Sequence, residues 1–150
     1  FYSHCAGAVI AMKLLDRVNG VKKYIAGASI PPEEMQNIWP SVPNETVLSV
    51  LYDAGMPKLP KSQEDSMLRQ FRENTEEYFC YFSKKNCKTP TGVSLVLSRE
   101  DIFTQSHSYA SELWNQYIEH VDAIHYIDSA THYFQSANAS ELADILLKEV

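Results

Sequence analysis

Residues 1–15, FYSHCAGAVIAMKLL, constrain the fold of this chain more than any other stretch. Phe1-Tyr2 reads as the end of a buried strand, and Ser3-His4-Cys5-Ala6-Gly7 as a tight turn. Ala8–Val18 then reads as a helix, apolar along Ala8, Val9, Met12 and Leu15, with Asn19-Gly20 as a left-handed stop. Val21–Ser29 follows as a second strand, ended by Ile30-Pro31-Pro32. Strand, turn, helix and strand in that order point to an α/β protein with a parallel sheet.

Residues 31–90 have a different character. They hold all seven prolines and two helical patches, 45–54 and 64–82. The second patch mixes Met67, Leu68, Phe71, Tyr78, Phe79 and Phe82 with charged residues. This reads as a helical insertion, 31–90, into an α/β core made of 1–30 and 91–150. The strand pattern resumes at Val93–Leu97 (VSLVL), whose unbroken apolar run suits a central strand. A helix is expected over Ser106–Ile118, with Tyr109, Leu113, Trp114 and Tyr117 on one face. Ala123–Ile127 is a further strand candidate. Asn138-Ala139-Ser140-Glu141 resembles a capping box, and opens a last helix with Leu142, Ile145 and Leu146 as its apolar stripe.

At 150 residues, 45% hydrophobic and 21% charged, the chain has the composition of one globular domain. A net charge of −6 without a basic stripe argues against a nucleic-acid partner. No apolar run is long enough to span a membrane, so no membrane partner is expected either. The first residues lack the basic flank of a signal peptide. Cys5, Cys80 and Cys87 form no CxxC and no metal-ligand spacing, which fits a reducing, cytoplasmic setting with no metal and no bound cofactor. Cys80 and Cys87 read as small buried or incidental residues.

The turn itself matches the nucleophile elbow G-x-S-x-G, with cysteine at the centre and Ser3 in place of the first glycine. In that motif the nucleophile sits in a strained strand-to-helix turn, so the residues two away on either side must be small. Ser3 and Gly7 meet that requirement. The first N–H groups of the following helix carry partial positive charge, which favours a thiolate and an oxyanion; Ala6 N–H is the natural oxyanion-hole donor.

A cysteine nucleophile needs a base beside it in space. Of five histidines, His4 adjoins Cys5 in the chain, but the elbow should turn its side chain elsewhere. His107 and His120 flank a helix and read as surface residues, and His125 lies within a strand. His132 falls in the loop 128–133 before the last helix, where the order nucleophile, acid, base puts the base. Asp101, after VSLVL, is the candidate acid that would fix the tautomer of His132. Glu100 and Asp128 are its rivals.

These residues together resemble the thioesterases associated with nonribosomal peptide and polyketide synthetases, particularly the stand-alone type II enzymes. The resemblance is carried by YSHCAGAVIAMKLL, by AGMP and LRQFREN in the insertion, by VSLVLSRED, by HSYASELWNQY and by IDSATHYFQS, and runs along nearly the whole chain. It implies an α/β-hydrolase fold with helices on both faces of the sheet, and a helical lid over an acyl channel. It also implies a catalytic triad of Cys5, His132 and Asp101. Members embedded in synthetases carry their acid after the strand that follows the elbow helix; here that place reads Gly27-Ala28-Ser29, so the later acid is implied. The implied substrate is an acyl or peptidyl group on a carrier protein, whose phosphopantetheine arrives with the substrate and is no resident cofactor. Serine is the usual nucleophile, and a cysteine minority exists, so release could be by hydrolysis or cyclisation. The family has strands and a second oxyanion donor before the elbow, so the chain is expected to be the C-terminal part of the fold. The alternatives from the same residues are a non-catalytic hydrolase-like binding module and a cysteine-type ester hydrolase of the carboxylester or dienelactone kind.

Overall fold

The computed structural model describes residues 1–150 except 34, 35, 105–107, 129 and 150. Its sheet has four parallel strands in the order β1 (Tyr2–His4), β2 (Tyr24–Gly27), β3 (Val93–Leu97) and β4 (Val121–Tyr126). β1 occupies one edge of that sheet. Every residue of β2 and β3 is buried, as strands covered on both faces must be. Because side chains alternate along a strand, each divides its residues between two cores. Tyr24, Ala26, Val93, Leu95 and Leu97 face a core shared with α1 (Gly7–Leu15), whose Ala8, Val9, Ala11, Met12 and Leu15 are buried there. Ile25 and Val96 face the other side, with Phe134, Leu142 and Ile145 from α5 (Phe134–Ala137) and α6 (Ala139–Glu149).

The segment between β2 and β3 is helical, as its sequence predicts. A short 3₁₀ turn, Trp39–Ser41, leads to α2 (Asn44–Asp53) and the long α3 (Lys61–Lys84). The first half of α3 packs with α2 in a small core of Val47, Leu51 and Leu68, bordered by Trp39, Met67, Phe71 and Phe103. Arg72 ties this unit together by donating to the carbonyls of Trp39 and Val42 and to Asn44 Oδ1. The second half belongs to the main core: Phe82 is buried there against Trp114 and Tyr117, with Tyr78 and Tyr81 beside it. One helix therefore joins the inserted unit to the sheet.

Several elements are shorter than their sequence pattern. α1 stops at Leu15, and Gly20 adopts its positive φ of 82° only after the intervening turn. The second strand keeps only Tyr24–Gly27 of the expected Val21–Ser29. α4 spans Ala110–Trp114, and the expected helical start at Ser106 and His107 lies outside the described residues. Trp114 ends that helix by donating Nε1–H to Ser29 O, at 2.9 Å. Leu113, Trp114 and Tyr117 are buried, but Tyr109 is 56% exposed, because so short a helix cannot keep one face inward across its whole predicted length. Among the described residues no helix is long and apolar enough to cross a membrane.

α6 is tied to the sheet by its last described residue. Glu149 accepts from buried Ser94 Oγ at 2.5 Å, pairs with Lys23 at 2.8 Å and lies 2.7 Å from His125 Nε2. The Lys23 ammonium, then the Ser94 hydroxyl, hold its carboxyl down to about 2 against the opposing effect of burial. The folded-state value lies below the ordinary 4.5. The carboxylate therefore stabilises the fold above pH 4.5, and this contribution is lost as pH falls toward 2. Urea midpoints measured through that window should fall less steeply with acidification in Glu149→Gln than in the parent. Parallel slopes would show that the tether is without energetic consequence.

Candidate active site

Four parallel strands end at one edge of the sheet, and the candidate residues follow those ends. Cys5 follows β1, Ala28 follows β2, Asp101 lies just beyond β3, and His132 is in the loop after β4. The backbone ladder continues past the strands, with Cys5 N–H donating to Gly27 O, Ala28 N–H to Val96 O and Ile127 N–H to Leu97 O, each at 2.9 Å.

Cys5 has φ of 51°, a left-handed conformation that costs a residue with a Cβ about 1–2 kcal/mol. That one residue turns the chain from β1 into α1. Ser3 and Gly7 face each other across the turn, and a Cβ built on Gly7 would lie 3.8 Å from Ser3 Cβ, an ordinary van der Waals contact, so the turn has room for an alanine there. Ser3 is itself buried, with its hydroxyl 3.0 Å from that of Tyr24. Ala6 is the N-cap of α1, and the first N–H groups of a helix have no partner within it.

His132 is 3% exposed and Asp101 1%. His132 Nδ1 lies 2.9 Å from Asp101 Oδ2, while Asp101 Oδ1 accepts from Phe103 N–H at 2.9 Å. The carboxylate only accepts, so Nδ1 carries the proton, which leaves Nε2 as the basic nitrogen. Burial lowers the His132 pKa, but the bond to Asp101 and the influence of the nearby Cys5 outweigh it and raise the value to about 9. A second bond holds the two loops together, from buried Ser98 Oγ to Ala130 O. The rival acids Glu100 and Asp128 are exposed.

The other histidines fall elsewhere. His120 is exposed and pairs with Asp122 at 2.8 Å, and His125 contacts Glu149. His107 lies outside the described residues. His4 turns away from Cys5 as expected, and its ring is directed to the backbone of His132, with Nε2 2.8 Å from His132 O. Adjacency in sequence hid this, because only the fold shows the loop after β4 lying against the end of β1. At the end of β2, Gly27-Ala28-Ser29 supplies no acid; Ser29 Oγ instead lies 3.1 Å from Tyr78 hydroxyl, which donates to Ile30 O.

A cavity of about 460 Å³ opens over Cys5, Ala6 and His132. Its walls are mostly apolar, from Ile30, Trp39, Met67, Phe71, Phe79 and Phe103, with Gln70 and Asn74 of α3 at an exposed margin. Among the described residues no group of three or more His, Cys, Asp or Glu could hold a metal.

No protein-family model matches the sequence. No curated protein matches it either. Solved structures match over nearly the whole chain. RedJ, in a structure with a polyethylene glycol molecule in its active site, is 16% identical with a TM-score of 0.78 over 99% of this chain and 63% of its own. ClbQ from the colibactin NRPS/PKS pathway is 13% identical with a TM-score of 0.71, over 99% of this chain and 66% of its own. Human thioesterase 2 is 13% identical with a TM-score of 0.67, over 99% of this chain and 70% of its own. This chain thus spans less than two thirds of the length of RedJ and of ClbQ. Its fold is that of part of an α/β-hydrolase.

The charge arrangement around His132 can be measured without a substrate. Its imidazole resonances should titrate near pH 9, not near 6.5, by NMR. In Asp101→Asn the midpoint should fall below the parent value, since burial then acts with less opposition. An unchanged midpoint would remove Asp101 as the source of the elevated basicity.

Proposed function

We propose that this chain carries the reacting residues of a thioesterase, with Cys5 as nucleophile, His132 as base and Asp101 as the acid that orients it. The observation that carries the reading is the convergence of a left-handed, half-buried cysteine with a buried His–Asp pair at the floor of one apolar cavity. In this mechanism the reacting form has His132 Nε2 unprotonated, a minority at pH 7 that grows as pH rises toward 9, and that nitrogen takes the thiol proton as Cys5 Sγ attacks the thioester carbonyl. The oxyanion forms next to the Ala6 N–H at the start of α1. Collapse breaks the bond to the leaving thiolate, which His132 reprotonates, leaving the acyl group on Cys5. A water molecule, deprotonated by His132, then releases the acid; an amine or internal hydroxyl in its place would give aminolysis or cyclisation. Asp101 holds the Nδ1–H tautomer throughout and stabilises the imidazolium.

The proposed substrate is an acyl or peptidyl thioester on the phosphopantetheine of a carrier protein. The names and pathway of ClbQ and human thioesterase 2 support this choice, as does the apolar cavity, which suits a hydrophobic acyl chain. Exchange of one thioester for another on a cysteine is nearly balanced in energy, so a cysteine nucleophile suits a thioester more than an oxygen ester. The segment 31–90 takes the part of a lid over the cavity, and no resident cofactor is required.

The full-length protein should form an acyl adduct on Cys5 when mixed with short acyl N-acetylcysteamine thioesters, as seen by intact mass. Cys5→Ala should abolish both adduct and turnover, and His132→Ala should lower turnover roughly 10²–10⁴-fold. Oxygen esters should be turned over far less well than thioesters. Preference for oxygen esters would indicate an ester hydrolase, and a folded protein inert to every thioester and ester tried would indicate a binding module.

A further inference from the structure

His4 stands next to Cys5 in the chain, yet its polar contacts are with the base loop and with its own strand. Nε2 lies 2.8 Å from His132 O, and Nδ1 3.0 Å from the Tyr2 hydroxyl. A carbonyl oxygen can only accept, so Nε2 carries the proton and donates it. Burial, more than any other influence, pushes the His4 pKa down to about 4, and the ring is neutral at pH 7. Nδ1 is then an acceptor, and Tyr2 O–H donates to it. The tautomer needed to hold His132 is thus fixed by Tyr2. Its geometry is fixed too: the His4 ring meets the His132 ring edge-on at 5.5 Å and the Phe134 ring at 4.9 Å. Tyr2 in turn lies so close over β2 that a Cβ on Gly27 would overlap its hydroxyl.

We propose that His4 is a positioning residue for the base: its Nε2–H grips the His132 carbonyl so that the imidazole stays between Asp101 and Cys5, and Tyr2 sets the tautomer that makes the grip possible. The proposal rests on the reading of Cys5 and His132 given above. Its physical basis is that the two reacting side chains come from loops far apart in sequence. Asp101 holds the ring of His132 by Nδ1 and Ser98 holds Ala130 O, but both of these anchors come from the β3 side and not from β1. The bond to His4 ties the backbone of the base loop to the strand from which Cys5 emerges, one residue away. A misplacement of about 1 Å between reacting groups costs roughly 10² in rate.

The test compares His4→Leu, His4→Gln and Tyr2→Phe with the parent in the full-length protein. His4→Gln keeps an N–H donor near the place of Nε2, whereas His4→Leu keeps bulk and loses the donor. Two readouts are taken: kcat and KM for an acyl N-acetylcysteamine thioester, and the pH profile of Cys5 alkylation by iodoacetamide, which needs no substrate. His4→Leu should lower kcat roughly 100-fold with KM within about threefold, and should move the alkylation profile toward that of His132→Ala. His4→Gln should recover most of both, and Tyr2→Phe should fall between it and His4→Leu.

Parent-like kcat and profile in His4→Leu would overturn the proposal. So would equal impairment in Leu and Gln variants, because that would reduce His4 to a packing residue. If His4→Leu does not fold, Tyr2→Phe decides: a shifted profile upholds the proposal, and a parent-like one overturns it. If no thioester is turned over by the parent but the profile still moves in His4→Leu, the positioning role stands and the substrate reading fails.

Discussion

The site depends on a backbone hydrogen-bond ladder that outlasts the strands. Beyond the ends of β1, β2 and β4, the N–H groups of Cys5, Ala28 and Ile127 still pair with the neighbouring strand. In a parallel sheet all strands deliver the chain to the same edge, and here that edge receives the turns that carry Cys5, Asp101 and His132 in strand order. The acid and base loops arise from β3 and β4, neighbours in the sheet, and a hydrogen bond between Ser98 and Ala130 joins them as soon as they leave it. Cys5 comes from the far edge. The ladder through β2 and the contact from His4 to His132 relate it to the other two.

Position at that edge comes with backbone strain. Cys5 at φ 51° and Ala28 at φ 45° are the positive-φ residues other than glycine, among those described, and both line the cavity. Such conformations persist only where surrounding structure holds them. At Cys5 the hold comes from the buried apolar side of α1 on one flank and the bond to Gly27 O on the other. Ser3 and Gly7 lie across the turn from each other, close enough that a Cβ on Gly7 would touch Ser3 Cβ at 3.8 Å. At Ala28 the bond to Val96 O has the same office. The sharp turn leaves the Cys5 thiol half-buried at the cavity floor, although nothing about a cysteine side chain itself requires that exposure.

How much of this could be read beforehand differs by kind of signal. The strand VSLVL, the apolar side of α1 and the helical nature of the insertion follow from local periodicity, and local periodicity survives folding. The pairing of Asp101 with His132 was legible because chain order and loop position restrict the choice. The exposure of Glu100 and Asp128 was not, since adjacent loop positions differ only in the turn's detailed path. Lengths were read too generously at Val18, at Val21–Lys23 and around Tyr109, where composition allows an element that packing does not support. The place of α3 was half legible: its aromatic residues announced burial, but not that Phe82 would join the sheet's core while Leu68 joined another. That the His4 side chain turns away from Cys5 was legible, but its partner was not, because that partner is 128 residues away, a separation no local pattern reports.

A buried histidine stays basic here because Asp101, with Cys5 beside it, opposes desolvation. The His132 ring meets aromatic neighbours edge-on, with Phe103 at 4.8 Å, Tyr133 at 5.2 Å and the His4 ring at 5.5 Å. Those rings exclude water and by themselves weaken the base, which is why burial heads the influences on its pKa. The same exclusion strengthens the attraction between imidazolium and carboxylate, because both lie where water cannot screen them. Phe103 serves both ends of this balance. Its ring packs on His132 and its N–H donates to the Asp101 oxygen that His132 does not use. With that oxygen satisfied, the carboxylate stays fixed with its other oxygen toward Nδ1. Desolvation and compensation are therefore supplied by the same short segment, and a change in one would alter the other.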